Sequence, residues 1–228
     1  STNNKGFIHL VCMIKIRLFF VLFSFWCCTG IAQNVQNPLQ YVNPLIGTAG
    51  VWFYGRTTPF VTLFFGMTNW TACTRNSSIG LSAYKYLDKH IVSFRGTHKP
   101  AMWMGDYGYV SIMPATGENG KNEVSHRAAF THKKEITRPN YYAVELNPSN
   151  AKKKIGVEIT ATERCGIFRI SFPENQSRYL FIEASQQSQF NGWIKIDTIN
   201  NEIIGWNADR QSAHLGPPLP NFKGYFIV

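Results

Sequence analysis

Tyr141-Tyr142-Ala143-Val144-Glu145-Leu146, then Ile155-Gly156-Val157-Glu158-Ile159-Thr160-Ala161-Thr162, then Ile167-Phe168-Arg169-Ile170-Ser171-Phe172: this stretch decides the fold. Within these runs apolar side chains recur at every second position, the period of a strand buried on one face. Turn formers punctuate them, with Asn147-Pro148 closing the first and Pro173 the third. The pattern continues outward on both sides. Tyr109 to Met113 forms a run ending at Pro114, and Tyr179 to Ala184 follows the central block. Trp193 to Thr198 and Glu202 to Trp206 flank Asn200-Asn201, a hairpin signal because asparagine tolerates positive φ. No long stretch keeps a helical period, so the expected fold class is all-β, an antiparallel β-sandwich.

The two ends read differently from this middle. Residues 1–12 precede the first methionine and carry no domain signal, as translated upstream sequence would. From Met13 the order is cationic Lys15 and Arg17, an apolar run Leu18 to Trp26, and small Gly30 and Ala32, which reads as a signal peptide over residues 13–32. That run is too short to cross a bilayer core of roughly 30 Å. Bulky Phe25 and Trp26 argue against Cys27 or Cys28 as a lipid acceptor. The mature chain is therefore expected to begin near Gln33, to be secreted or periplasmic, and to bind no membrane once the leader is cleaved. At the far end, Gly216-Pro217-Pro218-Leu219-Pro220 leads into Lys223 to Val228, where the chain stops inside a strand-like run. The sequence reads as a truncated sandwich, with residues 33–228 as one incomplete domain.

Composition narrows the function classes. Losing Lys5, Lys15 and Arg17 with the leader lowers the formal charge from +10 to +7, basic without being extreme. The surplus concentrates in Lys121 to Lys154, where eight lysines and arginines meet three glutamates. These residues spread over several strands and turns, no aromatic-bearing RNA motif accompanies them, and no nucleic-acid partner is expected. Cys73 and Cys165 remain for an oxidising compartment, either as one disulfide or as two separate thiols. His126 and His132 stand six apart, no ligand spacing, and read as polar surface histidines; no metal site is expected. Glu158 and Glu163 lie along strands and are expected to face outward. No nucleotide-binding glycine loop or nucleophile elbow is present.

Gly96 to Gly108 (Gly-Thr-His-Lys-Pro-Ala-Met-Trp-Met-Gly-Asp-Tyr-Gly) is the most site-like segment. Its three glycines and broken period make a shaped loop. Trp103 and Tyr107 offer flat amphipathic faces, and His98 and Asp106 offer hydrogen-bond partners, a set that suits a polyhydroxylated ligand with an apolar ring face. The competing reading is structural, with Trp103 and Met104 plugging a core and Asp106 capping a turn. Glycoside hydrolysis needs two carboxylates across the scissile bond, and Asp106 alone does not make that pair.

Tyr41-Val42-Asn43-Pro44-Leu45-Ile46-Gly47-Thr48, Phe65-Gly66-Met67-Thr68, the Gly96 to Gly108 loop, Pro139-Asn140-Tyr141-Tyr142 and Glu158 to Arg164 occur in the order found in glycoside hydrolase family 92. The chain resembles the N-terminal domain of that family over nearly all of Gln33 to Val228. The resemblance implies a galactose-mutarotase-like β-sandwich from a secreted, calcium-dependent, inverting exo-α-mannosidase. It also implies an intramolecular C-terminal (α/α)6 catalytic barrel that holds the acid, the base and most calcium ligands and is absent here. No catalytic residue is then expected in this fragment, which by itself would be inactive and would need no calcium. Matching the family's pocket loops assigns substrate contacts to His98, Trp103, Asp106, Tyr107, Arg56 and Thr57, with a mannose-containing glycan as partner. Two positions depart from the family pattern. Phe64 stands where proline usually precedes the Phe-Gly-Met step, and Lys99 where glutamine is common in the similar subgroup. The rival expectations are a stand-alone carbohydrate-binding β-sandwich without catalysis and a cell-surface structural module with no ligand.

Overall fold

Alternation along each strand decides which side chains turn inward, and the computed structural model shows this in the central meander. It describes residues 37–50, 57–76, 81–99, 106–117, 127–148, 154–185, 192–209 and 219–228. The signal-peptide reading of residues 13–32 lies outside these. The chain divides into Ser1–Pro38 and a compact unit Leu39–Val228, and the architecture below is that of the second unit.

Thirteen strands occur among the described residues. In chain order they are β1 (Asn69–Cys73), β2 (His90–Ile91), β3 (Ser93–Thr97), β4 (Val110–Thr116), β5 (Ala128–Ala129), β6 (Glu135–Arg138) and β7 (Tyr141–Pro148). There follow β8 (Ile155–Ala161), β9 (Gly166–Ser171), β10 (Arg178–Glu183), β11 (Gly192–Asp197), β12 (Glu202–Asn207) and β13 (Gly224–Ile227). They form a four-stranded sheet β1-β3-β4-β10, a six-stranded sheet β2-β5-β7-β8-β9 with β6 also on β7, and a three-stranded sheet β11-β12-β13. All the strand pairs are antiparallel. The all-β expectation holds.

The core is the space between the first two sheets. Register sets Tyr142 opposite Ile159, Val144 opposite Val157 and Leu146 opposite Ile155, so six buried side chains share one face. Each such burial contributes about 1.5–3 kcal/mol. From the facing sheet Phe94 meets Tyr142 and Phe168, each at 6.2 Å between ring centroids, and Trp70 meets Phe168 edge-on at 5.0 Å. Trp70 sits in a slot that only glycines leave open. A Cβ on Gly166 would lie 2.3 Å from its indole, and one on Gly96 3.0 Å.

Some strand boundaries differ from the alternation reading. Pro114 does not end its strand: β4 continues to Thr116 against β10, while its pairing with β3 spans only Val110 to Ile112. A proline fits past the end of a ladder, where its missing N–H leaves no bond unmade. The hairpin reading is confirmed, with Asn201 at φ 55 and Asp197 Oδ1 accepting from the Ile199 and Asn200 amides at 3.0 and 3.1 Å. The terminal strand is β13, paired to β12 along one edge. Cys73 is buried and Cys165 exposed, two separate thiols.

Phe65 adopts φ 57 with its ring 98% exposed. Its turn is pinned by backbone bonds from Thr62 to Pro139 and from Met67 to Glu163, at 2.9 and 2.7 Å. A left-handed non-glycine residue costs roughly 1–2 kcal/mol, and this ring makes no burial to offset it. Phe65→Asn should therefore stabilise the domain by about 0.5–1 kcal/mol, read as a Tm rise of about 2 °C. A fall in Tm would show that Phe65 holds a contact.

Candidate functional site

The loop predicted from sequence springs from β3 and returns into β4, and its two ends meet in a buried polar neck. Asp106 is 1% exposed and closes that neck. Its Oδ2 accepts from the Thr97 hydroxyl at 2.7 Å, and its Oδ1 from the His98 and Tyr107 amides at 3.2 and 2.9 Å. Arg95, also 1% exposed, lies 3.6 Å from Oδ2 and spreads its guanidinium 4.1 Å over the Tyr109 ring. The Lys99 amide donates to the Thr97 hydroxyl at 3.1 Å, completing the turn.

Above the neck stand two half-buried rings. His98 stacks on Tyr107 at 5.4 Å and 28°. Its Nδ1 lies 3.1 Å from the Tyr107 carbonyl, which can only accept, so Nδ1 carries the hydrogen. Nε2 pairs with the Thr68 hydroxyl at 3.1 Å, linking the loop to the end of the Phe65 turn. Tyr107 leans edge-on against Phe222 at 6.2 Å. Gly108, at φ 57, lets the chain turn down into β4 and donates to the Asp209 carbonyl at 3.0 Å. A Cβ on Gly224 would fall 2.1 Å from the Gly108 Cα, so the three-stranded sheet braces the loop through two glycines in contact.

Of the predicted contacts, His98, Asp106 and Tyr107 are thus brought together. The carboxylate of Asp106 is enclosed by its own loop rather than presented to solvent. Trp103 and Arg56 lie outside the described residues. Thr57 does not join the cluster directly: its hydroxyl is spent on the Ile46 carbonyl, and its own carbonyl accepts from Ser82 Oγ at 3.3 Å. Lys99 reaches the neighbouring Leu81 carbonyl at 2.8 Å, so the Leu81–Ser82 step bridges the two loops.

Lys99 is the electrostatic weak point. It is 7% exposed, and burial pushes its ammonium down to about 8, partly opposed by Asp106. With the folded value below that of the unfolded chain, the unfolded chain binds the proton more readily between about pH 8 and 10.5. Stability therefore rises with pH across that window, and the cost is full below pH 8. Lys99→Gln should stabilise the domain at pH 7 by on the order of 1–3 kcal/mol, with the gap to wild type closing toward pH 10. Denaturant melts of both proteins at pH 7 and 9 check this. A gap that does not narrow removes the argument.

Sequence reasoning missed a second polar cluster. His132, expected at the surface, lies 2.6 Å from Glu135 through Nδ1 and 2.7 Å from the Tyr86 carbonyl through Nε2, with its ring stacked on Tyr86 at 3.8 Å. The buried Glu135 carboxylate also accepts from Tyr84 and Tyr142, at 2.9 and 2.8 Å. Burial, then the Glu135 charge, holds both hydroxyls far above the ordinary tyrosine range. The only sequence signal was a lone glutamate beginning an alternating run. Glu158 and Glu163 do face outward, the first bonded to Tyr141 at 2.6 Å.

Residues 41–228 match the model described as the glycosyl hydrolase family 92 N-terminal domain. The chain belongs to this family. Among solved structures the family 92 domain is similar to the GH92 inverting mannosidase BT2199 from Bacteroides thetaiotaomicron VPI-5482. The two share 31% identity with a TM-score of 0.70, over 83% of this chain and 24% of that one. It is also similar to the GH92 α-mannosidase BT3965 from Bacteroides thetaiotaomicron, at 27% identity and TM-score 0.58, over 74% of this chain and 23% of that one. A further structure of that α-mannosidase, in complex with mannoimidazole, aligns at 27% identity and TM-score 0.57, again over 74% and 23%. The family 92 domain spans about a quarter of the length of these relatives. No curated protein matches the chain. Among the described residues no helix is long and apolar enough to cross a membrane. Nor, among the described residues, do three His, Cys, Asp or Glu side chains gather where they could hold a metal ion.

Proposed function

We propose that this chain is the N-terminal domain of a secreted glycoside hydrolase that removes terminal α-linked mannose from glycans by inverting hydrolysis. The observation that carries this reading is the 31% identity to an inverting mannosidase across most of the chain. In this reading the domain supplies part of the sugar pocket and supports a C-terminal catalytic barrel, which holds the chemistry and the calcium. Inverting hydrolysis needs an acid and a base on separate carboxylates, and the loop's one carboxylate is enclosed.

His98, Tyr107 and Trp103 are the proposed sugar contacts, together with Arg56 and Thr57. Stacking and directed hydrogen bonds from a rigid pair of rings suit a pyranose, which has an apolar C–H face and a rim of hydroxyls. Asp106 is the positioning residue: it fixes the amides of His98 and Tyr107 and so sets the angle between their rings.

The test is stereochemical. An enzyme carrying this domain ahead of its catalytic part should release β-mannose first from a methyl α-mannoside, followed by proton NMR, while the 228-residue chain alone releases none. Release of α-mannose first, or no mannose, would rule the reading out. Saturable mannoside binding by the isolated chain, with no hydrolysis by the longer one, would establish a carbohydrate-binding module instead.

A further inference from the structure

Away from the loop of residues 96–108, β2 and β5 meet the end of β1. There the surface sinks into an open depression of about 390 Å3 lined by Arg75, Asn76, Asp88, Lys89, His90 and Arg127, among others. That volume suits a small ligand rather than a macromolecule. Strand register builds the lining. His90 pairs with Ala129 and the buried Ile91 with the buried Ala128, so by alternation His90 and Arg127 turn to the opposite, open face. The Phe130 amide donates to the Lys89 carbonyl at 3.1 Å and holds the adjoining step, and the Val92 amide donates to the Cys73 carbonyl at 2.8 Å.

Among the described residues the charges in this depression do not cancel. Asp88 is its carboxylate, and it is committed: it accepts from Arg75 Nε and Nη2 at 2.9 and 2.6 Å and from the Thr74 hydroxyl at 2.7 Å. That fork also fixes the Arg75 guanidinium in place. Lys89 and Arg127 have no ion-pair partner among the described residues. A concave surface with two surplus cations concentrates positive potential, and a multidentate oxyanion is the group that gains most from it.

We propose that this depression binds an oxyanion group, a phosphate, sulfate or carboxylate borne by a small ligand, between Lys89 and Arg127 with Arg75 at its wall. None of the residues lining the depression belongs to the loop of residues 96–108, and the proposal does not rest on the mannosidase reading.

The test is calorimetric titration of the full 228-residue chain, in low-salt buffer, with inorganic phosphate, sulfate and glucuronate in turn. The three arms distinguish which oxyanion the depression prefers. Saturable binding is expected, falling at least tenfold in the double variant Lys89→Gln/Arg127→Gln and weakening as salt is raised. Lys133→Gln/Lys134→Gln removes the same formal charge from exposed residues that do not line the depression, and should change binding by less than twofold. Because all four side chains are exposed, neither double variant should alter Tm. Equal loss in both double variants, or no saturable binding to any of the three anions, overturns the proposal. So does tighter binding of a single-stranded oligonucleotide that both variants weaken alike, which would mark a diffuse basic surface.

Discussion

Asp106→Ala is expected to cost about 3–5 kcal/mol of folding stability, the scale for breaking a buried charge pair. The substitution removes the carboxylate facing the Arg95 guanidinium at 3.6 Å, with both side chains 1% exposed. It also takes the acceptor from the Thr97 hydroxyl and from the His98 and Tyr107 amides. In a domain of this size that loss corresponds to a Tm fall of roughly 10 °C. Asp106→Asn separates the two contributions, because the amide oxygen can still accept at Oδ1 while the charge is gone, and about 1–3 kcal/mol is expected. A loss below 1 kcal/mol for the alanine variant would mean that the neck is held by something other than this carboxylate.

The second large effect is expected at Gly166. An added methyl would sit 2.3 Å from Trp70 Cε2 and 2.5 Å from Nε1, while the far edge of the same indole is 3.0 Å from the position a Cβ would take on Gly96. The ring therefore has little room to retreat, and Phe168 meets it edge-on. Gly166→Ala should cost about 3 kcal/mol, the upper end for overpacking a close-packed core. Trp70→Phe in the same molecule vacates the slot, so the double variant should be less damaged than the sum of the two single changes. Strict additivity in urea melts would show that the methyl is accommodated elsewhere.

How much of this was legible in advance depended on range. β7, β8, β9 and the β11–β12 hairpin were visible because each announces itself locally, by alternation or by asparagines at the turn. β1 and β3 were not, because Asn69–Cys73 and Ser93–Thr97 are buried on both faces and mix Thr, Ser, Arg and Gly with few apolar residues. Burial of such polar runs depends on partners far along the chain. The same distinction applies to the site. His98 and Tyr107 could be picked out by residue type, but their support comes from Thr68, Arg95, Asp209 and Gly224, which no local spacing connects. Asp106 offered two readings, a hydrogen-bond partner for a ligand or the cap of a turn. Its bonds to Thr97 and the two loop amides are those of a cap.

The proposed sugar loop is tested most directly by kcat/KM on an α-mannoside, measured beside Tm, for His98→Ala and Trp103→Ala in an enzyme that carries this domain ahead of its catalytic part. Loss of a stacking or hydrogen-bond contact of about 1–2 kcal/mol predicts a fall of roughly ten- to thirtyfold in both, with Tm nearly unchanged for Trp103→Ala and lowered for His98→Ala, which also loses its bonds to Thr68 and Tyr107. A core plug predicts the opposite for Trp103→Ala, about 3–5 kcal/mol of lost stability and a matching drop in Tm. An unchanged kcat/KM in both variants would contradict the assignment of this loop to the sugar.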